Sequence, residues 1–90
     1  MDIVFDDAKA RLNVAKHGVT FDEAEGCLSD PRALVQEDIH ALGENRWVLI
    51  GLSRRGRLLV VVFTVRGEFT RLISARRPTK REIGDYAKRI

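Results

Sequence analysis

The sequence has few of the residues that staple small domains or hold metals. Its 90 residues include one cysteine, two histidines and two prolines. Cys27 has no second cysteine to pair with and no metal-ligand spacing around it, which excludes an internal disulfide framework and a cysteine-based zinc site. A thiol left unpaired suits a reducing compartment, so we predict a cytoplasmic protein that uses no metal and no cofactor.

Long hydrophobic runs are also missing. None approaches the roughly 20 apolar residues that a membrane-spanning helix requires, and the acidic first residues lack the basic and apolar regions of a signal peptide. We therefore expect no membrane association. With 44% hydrophobic and 32% charged residues, the composition excludes a disordered tail. A chain of this length predicts one domain over residues 1–90 with a modest core.

Several catalytic signatures are absent. Gly51, Gly56 and Gly67 stand in strand or turn patterns and form no nucleotide-binding fingerprint. Ser53 and Ser74 lack the flanking glycines of a nucleophile elbow, which argues against a serine hydrolase. No pair of carboxylates lies in an apolar setting, and His17 and His40 are too few for a histidine-based zinc site.

Charge is unevenly distributed along the chain. Residues 1–45 hold four Lys/Arg and ten Asp/Glu, a balance of −6, whereas residues 46–90 hold twelve and three, a balance of +9. A basic half indicates a polyanionic partner such as nucleic acid, or an acidic protein. The alternative is that the fold interleaves the halves and cancels the field.

The first half of the pattern predicts a short strand over 2–5 and two helices. Asp6 is the expected cap of a helix running to about Lys16 with an apolar stripe of Ala8, Leu12 and Ala15, and Gly18 is expected to end it. Thr20 with Glu23 predicts a capping box for a second, shorter helix that Asp30-Pro31 stops.

The second half predicts strands and a closing helix. Strands are expected over 33–36, 46–53, 57–65 and 68–75, joined by glycine turns into an antiparallel meander with the apolar run 58–63 as its central strand. Pro78 suits a first helical turn, and Thr79 with Glu82 reads as a capping box. The last helix should bury Ile83, Tyr86, Ala87 and Ile90. The fold class is therefore α+β, with helices packed on an antiparallel sheet of four to five strands.

The stretch 72–82 is a strand-to-helix corner with four basic residues, and a helix start already favours anions. The remaining candidate residues suit phosphodiester chemistry. RNA cleavage without a metal needs a base to deprotonate the 2′-hydroxyl, cations to stabilise the charge on the phosphorane and an acid to protonate the leaving 5′-oxygen. Histidine is the residue type most often used as a general acid or base, so His17 is the candidate for that function. The candidate groups for phosphate or proton transfer are Lys9, Asn13, Lys16, Arg76, Arg77, Lys80, Glu82 and Tyr86.

Each candidate also has a purely structural explanation. His17 and Lys16 suit the dipole at a helix end, and Asn13 can hydrogen-bond the loop after its helix. Tyr86 can be a core residue with a hydrated hydroxyl, and Glu82 can simply cap. Lys80 and Arg81 can be solvated surface charges.

Residues over nearly the whole chain form a specific combination of motifs: Asp6-Asp7-Ala8-Lys9, Asn13, Lys16 to Ala24, Asp30-Pro31, Glu44, Arg46, Gly56-Arg57-Leu58-Leu59, Thr64, Arg66, Ile73-Ser74-Ala75-Arg76-Arg77, Thr79, Glu82 and Tyr86. This combination resembles the BrnT-type toxins. Two positions depart from the pattern: Phe5 stands where Trp is frequent, and Pro78 where a small residue is usual.

The resemblance implies a RelE-like fold and the toxin of a type II toxin–antitoxin pair, which inhibits growth by cleaving RNA. It also implies a BrnA-type antitoxin with a ribbon-helix-helix domain, and contact with operator DNA only through the toxin–antitoxin complex. Two functions stay open from the residues: a catalytic endoribonuclease, or a non-catalytic module whose basic surface holds an antitoxin.

Overall fold

The computed structural model describes residues 2–40 and 43–88. Within these ranges the chain forms three helices and five strands. In chain order they are β1 (Asp2–Val4), α1 (Asp7–His17), α2 (Phe21–Cys27), β2 (Leu34–Asp38), β3 (Arg46–Leu52), β4 (Leu58–Arg66), β5 (Phe69–Arg76) and α3 (Lys80–Ala87). The predicted elements all exist, with boundaries shifted by a few residues.

One sheet contains the five strands in the order β1-β5-β4-β3-β2. Strands β2 to β5 form the predicted antiparallel meander, and β4 lies at its centre. The amino-terminal β1 pairs with β5 in parallel, so the first and last strands of the chain are neighbours and β1 forms one edge of the sheet. The α+β class is confirmed, with a single parallel pair added to an otherwise antiparallel sheet.

Each face of the sheet carries a core of its own. Leu59, Val61 and Phe63 of β4 point toward α1 and α2 and join the main core around Phe21. The alternate residue Val60 points to the opposite face, where it packs with Ile50 and Tyr86. Strand β4 is therefore apolar at successive positions because both of its faces are covered.

The helix ends follow the predicted caps with two exceptions. The Asp6 side chain accepts a hydrogen bond from Ala8 N–H, and Gly18 ends α1 with a left-handed φ of 69°. Thr79 and Glu82 form a reciprocal capping box. The prediction for Pro78 was wrong: it precedes the capping residue and lies outside the first turn, because Thr79 takes the cap position.

The second exception is at α2, where only half of the predicted capping box forms. The Thr20 hydroxyl accepts from the Glu23 N–H at 3.1 Å. The Glu23 carboxylate turns away to accept hydrogen bonds from Arg57 and Ser53 on the strand side. A buried pair with a guanidinium is a stronger partner for a carboxylate than one backbone amide.

The apolar stripe predicted on α1 is not its buried face. Leu12 is 67% exposed, and Ala8 and Ala15 are exposed as well. The helix instead turns Ala10 and Asn13 toward the sheet, and Asn13 is its one buried residue. Backbone groups at the sheet edge demand hydrogen bonds, and this demand outweighs the burial of a narrow apolar stripe.

The buried face predicted for α3 was also mostly wrong. Tyr86 is buried, but Ile83 is 46% exposed and Ala87 is exposed. Ile90 lies outside the described residues. Helix α3 packs on the sheet through Tyr86, which contacts Ile50 and Val60. The other apolar residues of the predicted stripe, Ile83 and Ala87, do not join this core cluster and stay exposed.

Candidate functional site

Strand β5 has an edge that β1 covers only in part. The parallel pairing with β1 stops at Arg71. Farther along the strand, the Asn13 side chain takes the place of a neighbouring strand: its amide accepts from Ala75 N–H at 3.1 Å and donates to Ala75 C=O at 2.8 Å. The same amide donates to Val19 C=O at 2.9 Å. Asn13 thereby fixes α1 along the edge of β5.

A groove of about 500 Å³ lies between α1 and this edge. Its lining residues are Lys9, Leu12, Asn13, Ala15, Lys16, His17, Ile73 and Ser74. The two lysines are exposed and His17 is half-buried, so three groups able to carry positive charge surround a largely apolar floor. Three of the candidate residues, Lys9, Lys16 and His17, therefore line the same groove.

Asn13 faces the same groove but has little to offer a ligand. It is 6% exposed, and its amide makes three hydrogen bonds to the backbone. The bond to Val19 is the contact with the following loop that the sequence allowed as an alternative. The structure favours that alternative for Asn13 over direct contact with phosphate.

The Arg76 guanidinium lies on the α3 side of the sheet and forms a two-pronged ion pair with Glu82, with both contacts at 2.8 Å. Glu82 also accepts from the Thr79 N–H at 2.8 Å. The hydrogen bonds from Arg76 lower the pKa of Glu82 to about 2, and Glu82 in turn raises the pKa of Arg76. Glu82 is therefore a carboxylate near neutral pH.

Tyr86 is the buried residue of α3 and does not line the groove. Its hydroxyl donates to the Asp30 carboxylate at 2.7 Å, and that hydrogen bond raises the pKa of Tyr86, with burial adding to the shift. The ring packs against Ile50 and Val60. These contacts favour the alternative that Tyr86 is a packing residue. Arg77 and Lys80 are exposed at the corner between β5 and α3.

Ser74 connects the α1 groove with the strand end that carries Arg76. This residue lines the α1 groove, and it also shares a face of β5 with Arg76, because Ser74 pairs with Val62 and Arg76 with Val60. Two residues along a strand correspond to roughly 7 Å. The groove with His17 and the Arg76–Glu82 pair are therefore neighbours on either side of one strand end, although Arg76 does not line the groove.

Sequence reasoning missed Ile73 and Ser74 as site residues. The register between β4 and β5 shifts at Val62/Phe63, so that Ile73 is an extra residue between Leu72 and Ser74. Such a bulge turns the following residues and re-aims their side chains. An unbroken apolar and small-residue run carries no sign of it.

No described helix is long and apolar enough to cross a membrane. Among residues 2–40 and 43–88, no three His, Cys, Asp or Glu side chains are grouped so that they could hold a metal ion. The buried Cys27 thiol has its pKa raised to about 11, chiefly by burial, and stays protonated.

Comparison with known proteins shows the family to which the chain belongs. The family described as "Ribonuclease toxin, BrnT, of type II toxin-antitoxin system" matches residues 5–82. The chain belongs to the BrnT family of ribonuclease toxins. The matched range contains His17, Arg76 and Glu82, and it ends before Tyr86.

A solved BrnT structure has the same fold. The crystal structure of the ribonuclease toxin BrnT of Brucella abortus superposes with a TM-score of 0.67 at 30% sequence identity. The match covers 89% of the present chain and 99% of the Brucella chain. No curated protein sequence matches the chain significantly. The resemblance to BrnT toxins drawn from the sequence is confirmed.

Proposed function

We propose that this BrnT-family chain is a metal-independent endoribonuclease that cleaves RNA at the end of β5. The observation that supports this most is that His17 and Ser74 line the same groove, and that Ser74 lies two residues before Arg76 on the same face of β5. An imidazole and a guanidinium fixed by Glu82 are then available to one phosphodiester.

The chemistry divides between these two groups. His17 takes a proton from the 2′-hydroxyl or supplies one to the departing 5′-oxygen. The 2′-oxygen attacks phosphorus, the bond to the 5′-oxygen breaks, and a 2′,3′-cyclic phosphate and a 5′-hydroxyl result. Arg76 stabilises the charge that develops on the phosphorane oxygens. Lys9 and Lys16 hold neighbouring phosphates, and Arg77 and Lys80 extend the same positive surface around the corner.

Glu82 and Tyr86 fit supporting functions in this proposal. A carboxylate with a pKa of about 2 is a poor proton donor at neutral pH, but its two hydrogen bonds fix the direction of the Arg76 guanidinium. The Tyr86 hydroxyl is engaged by Asp30 and holds α3 on the sheet. Both residues then affect cleavage through the position of Arg76.

The proposed partner is a BrnA-type antitoxin with a ribbon-helix-helix domain. An antitoxin follows from membership of a type II toxin family. Exposed cations at Lys9, Lys16 and Arg77 would attract an acidic segment, and the affinity should then fall with salt. Operator DNA would be contacted only through the complex, and the pair would act in the cytoplasm.

Growth arrest and RNA cleavage test the proposal. The chain is expressed alone in a bacterium, and the purified protein is incubated with RNA in the presence of excess EDTA. His17→Ala and Arg76→Ala should abolish both effects. His40→Ala and Arg11→Ala remove the same side-chain types at exposed positions outside the groove lining and should retain both. Arrest that persists in folded His17→Ala and Arg76→Ala proteins would refute the site.

A non-catalytic antitoxin-binding module is the second candidate. The apolar residues Leu12, Ala15 and Ile73 of the groove lining favour it, because an exposed apolar patch rimmed by charged residues is typical of protein interaction sites. In this case the wild-type chain neither arrests growth nor cleaves RNA, yet it binds the antitoxin. Cleavage by the wild-type chain in EDTA would reject this candidate.

A further inference from the structure

Three polar residues that the proposed site does not use, Arg46, Thr64 and Arg71, lie close together in the sheet. Thr64 of β4 lies on the same face as Val60 and Val62, opposite α1 and α2. Arg71 of β5 pairs with Thr64 directly. On the other side, Trp47 pairs with Phe63, so the register places Arg46 of β3 beside Thr64. Arg46, Thr64 and Arg71 form one row across three strands, here called the arginine row.

The arginine row contains polar atoms without partners. Thr64 is 1% exposed, and its Oγ1 makes no hydrogen bond within the described part of the chain. The Arg46 Nε is likewise buried and without an acceptor. Buried polar groups are nearly always hydrogen-bonded, and an orphaned one costs about 1–3 kcal/mol. Two such atoms in neighbouring residues indicate that the half-buried Arg46 and Arg71 side chains next to them are arranged for an additional partner.

The charges of the row point to an anion as that partner. Other arginines on the sheet have carboxylate partners: Arg57 pairs with Glu23 and Arg66 with Glu44. Arg46 and Arg71 have no carboxylate within 4.0 Å among residues 2–40 and 43–88. Asp38 stands opposite Arg46 in the sheet, but its carboxylate accepts from the His40 N–H instead.

The spacing suits a single phosphate. Arg46 and Arg71 flank β4 on either side, and strands are about 4.8 Å apart, so their backbones are separated by roughly 10 Å. Two arginine side chains of this separation can converge on one phosphate above Thr64 with several charge-assisted hydrogen bonds. Arg76 lies five residues farther along β5, at roughly 15 Å, which is too far to share that phosphate.

We propose that the arginine row is a second phosphate subsite, which holds the RNA backbone at a nucleotide removed from the cleaved bond. This inference rests on the proposed endoribonuclease function and deepens it. The α1 groove and Arg76 then act at the scissile phosphate, while the row fixes the position of the RNA strand on the sheet face opposite α1 and α2. Arg46 and Arg71 are binding residues, and the cleavage step does not pass through them.

The test measures binding apart from cleavage. A fluorescent single-stranded RNA with 2′-O-methyl groups resists cleavage, and its anisotropy reports affinity for Arg46→Gln, Arg71→Gln and Thr64→Val. Arg11→Gln removes one exposed charge on α1, outside the groove lining, and is the matched control. Each row arginine variant should weaken binding about 5- to 20-fold, and the salt slope should fall by about 0.7 for the lost phosphate contact. Arg11→Gln should change neither.

Thr64→Val separates binding from folding. Valine has nearly the same shape as threonine and lacks the orphaned hydroxyl, so its melting temperature should equal or exceed that of the wild-type protein while its RNA affinity falls a few-fold. With cleavable RNA, the row variants should raise KM and leave kcat nearly unchanged. A Thr64→Val protein that loses stability and affinity together would show a structural position and overturn the subsite.

The outcomes also separate this inference from the proposed function. If Arg46→Gln and Arg71→Gln bind RNA like Arg11→Gln while the wild-type chain cleaves RNA, the subsite is wrong and the endoribonuclease stands. If the wild-type chain neither binds nor cleaves RNA, both fail. If the row variants lose antitoxin binding but retain RNA binding, the row belongs to the protein partner and the subsite is overturned.

Discussion

The buried carboxylate of Glu23 offers the sharpest test of how this fold is held together. Its side chain is only 5% exposed and accepts hydrogen bonds from Arg57 Nε and Nη2, each at 2.7 Å, and from the Ser53 hydroxyl at 2.8 Å. Arg55 adds a more distant charge at 3.7 Å. One side chain of α2 thereby ties the helix to the turn between β3 and β4.

Glu23→Gln removes the charge and keeps the shape. The hydrogen bonds from Arg57 outweigh burial and hold the Glu23 pKa at about 2, against an ordinary value of 4.5. A shift of this size corresponds to roughly 3 kcal/mol, and because Arg57 is partly exposed to water we expect about 2 kcal/mol in practice. For a domain of 90 residues this loss lowers Tm by about 10 °C.

The pH dependence has a definite sign. Because the folded pKa lies below the unfolded one, the stabilisation is present above pH 4.5 and is lost as the pH falls toward 2. Urea unfolding of the wild-type and Glu23→Gln proteins should therefore differ at pH 7 and converge near pH 2. Glu25→Gln makes the same chemical change two residues along α2 and should have little effect.

Two results would contradict this account of Glu23. If Glu23→Gln and Glu25→Gln unfold at the same urea concentration at pH 7, the buried pair stabilises nothing. If the deficit of Glu23→Gln is the same at pH 2 as at pH 7, the effect belongs to packing and not to charge.

Three further predictions concern single positions. Gly51→Ala should lower the free energy of unfolding in urea by about 2 kcal/mol, because the new Cβ would lie 2.9 Å from the Cys27 carbonyl oxygen. Gly84→Ala should stabilise α3 by about 0.5–1 kcal/mol, because its Cβ would meet no atom within 4 Å and alanine favours a helix. Asn13→Asp should lower the free energy of unfolding by about 2–3 kcal/mol, since a carboxylate cannot donate to two backbone carbonyls; unchanged stability would contradict the edge-closing contact. Tyr86→Phe should cost about 1 kcal/mol by calorimetry through its lost hydrogen bond, and an unchanged Tm would show that this bond is not made in solution.

Much of the fold follows from local patterns. The Asp6 cap, Gly18 at the end of α1 and the Thr79–Glu82 box depend on hydrogen bonds between residues a few positions apart, so the sequence predicts them correctly. The unbroken apolar run in β4 likewise predicts a central strand covered on both faces. The resemblance to BrnT toxins depends on residue identities alone and is confirmed by the family match.

The wrong predictions of local structure occur where a side chain bonds to a residue far away in the sequence. Glu23 leaves its capping box for Arg57, 34 residues away, and Asn13 is buried because it bonds to Ala75, 62 residues away. The exposure of Leu12 follows from the second of these contacts, since α1 must turn its polar residue to the sheet. Helical periodicity counts hydrophobic residues and contains no information on which backbone groups a strand edge leaves unpaired.

The charge pattern shows the same division. The sequence by itself determined an acidic half and a basic half, and it determined the fold class and family. Only the tertiary structure decided which charges cancel: Glu23 neutralises Arg57 and Glu44 neutralises Arg66, while Arg46 and Arg71, on either side of β4, form no ion pair with a carboxylate of residues 2–40 and 43–88. Electrostatic energy depends on distances of a few ångströms, and those distances are set by strand register and not by order along the chain.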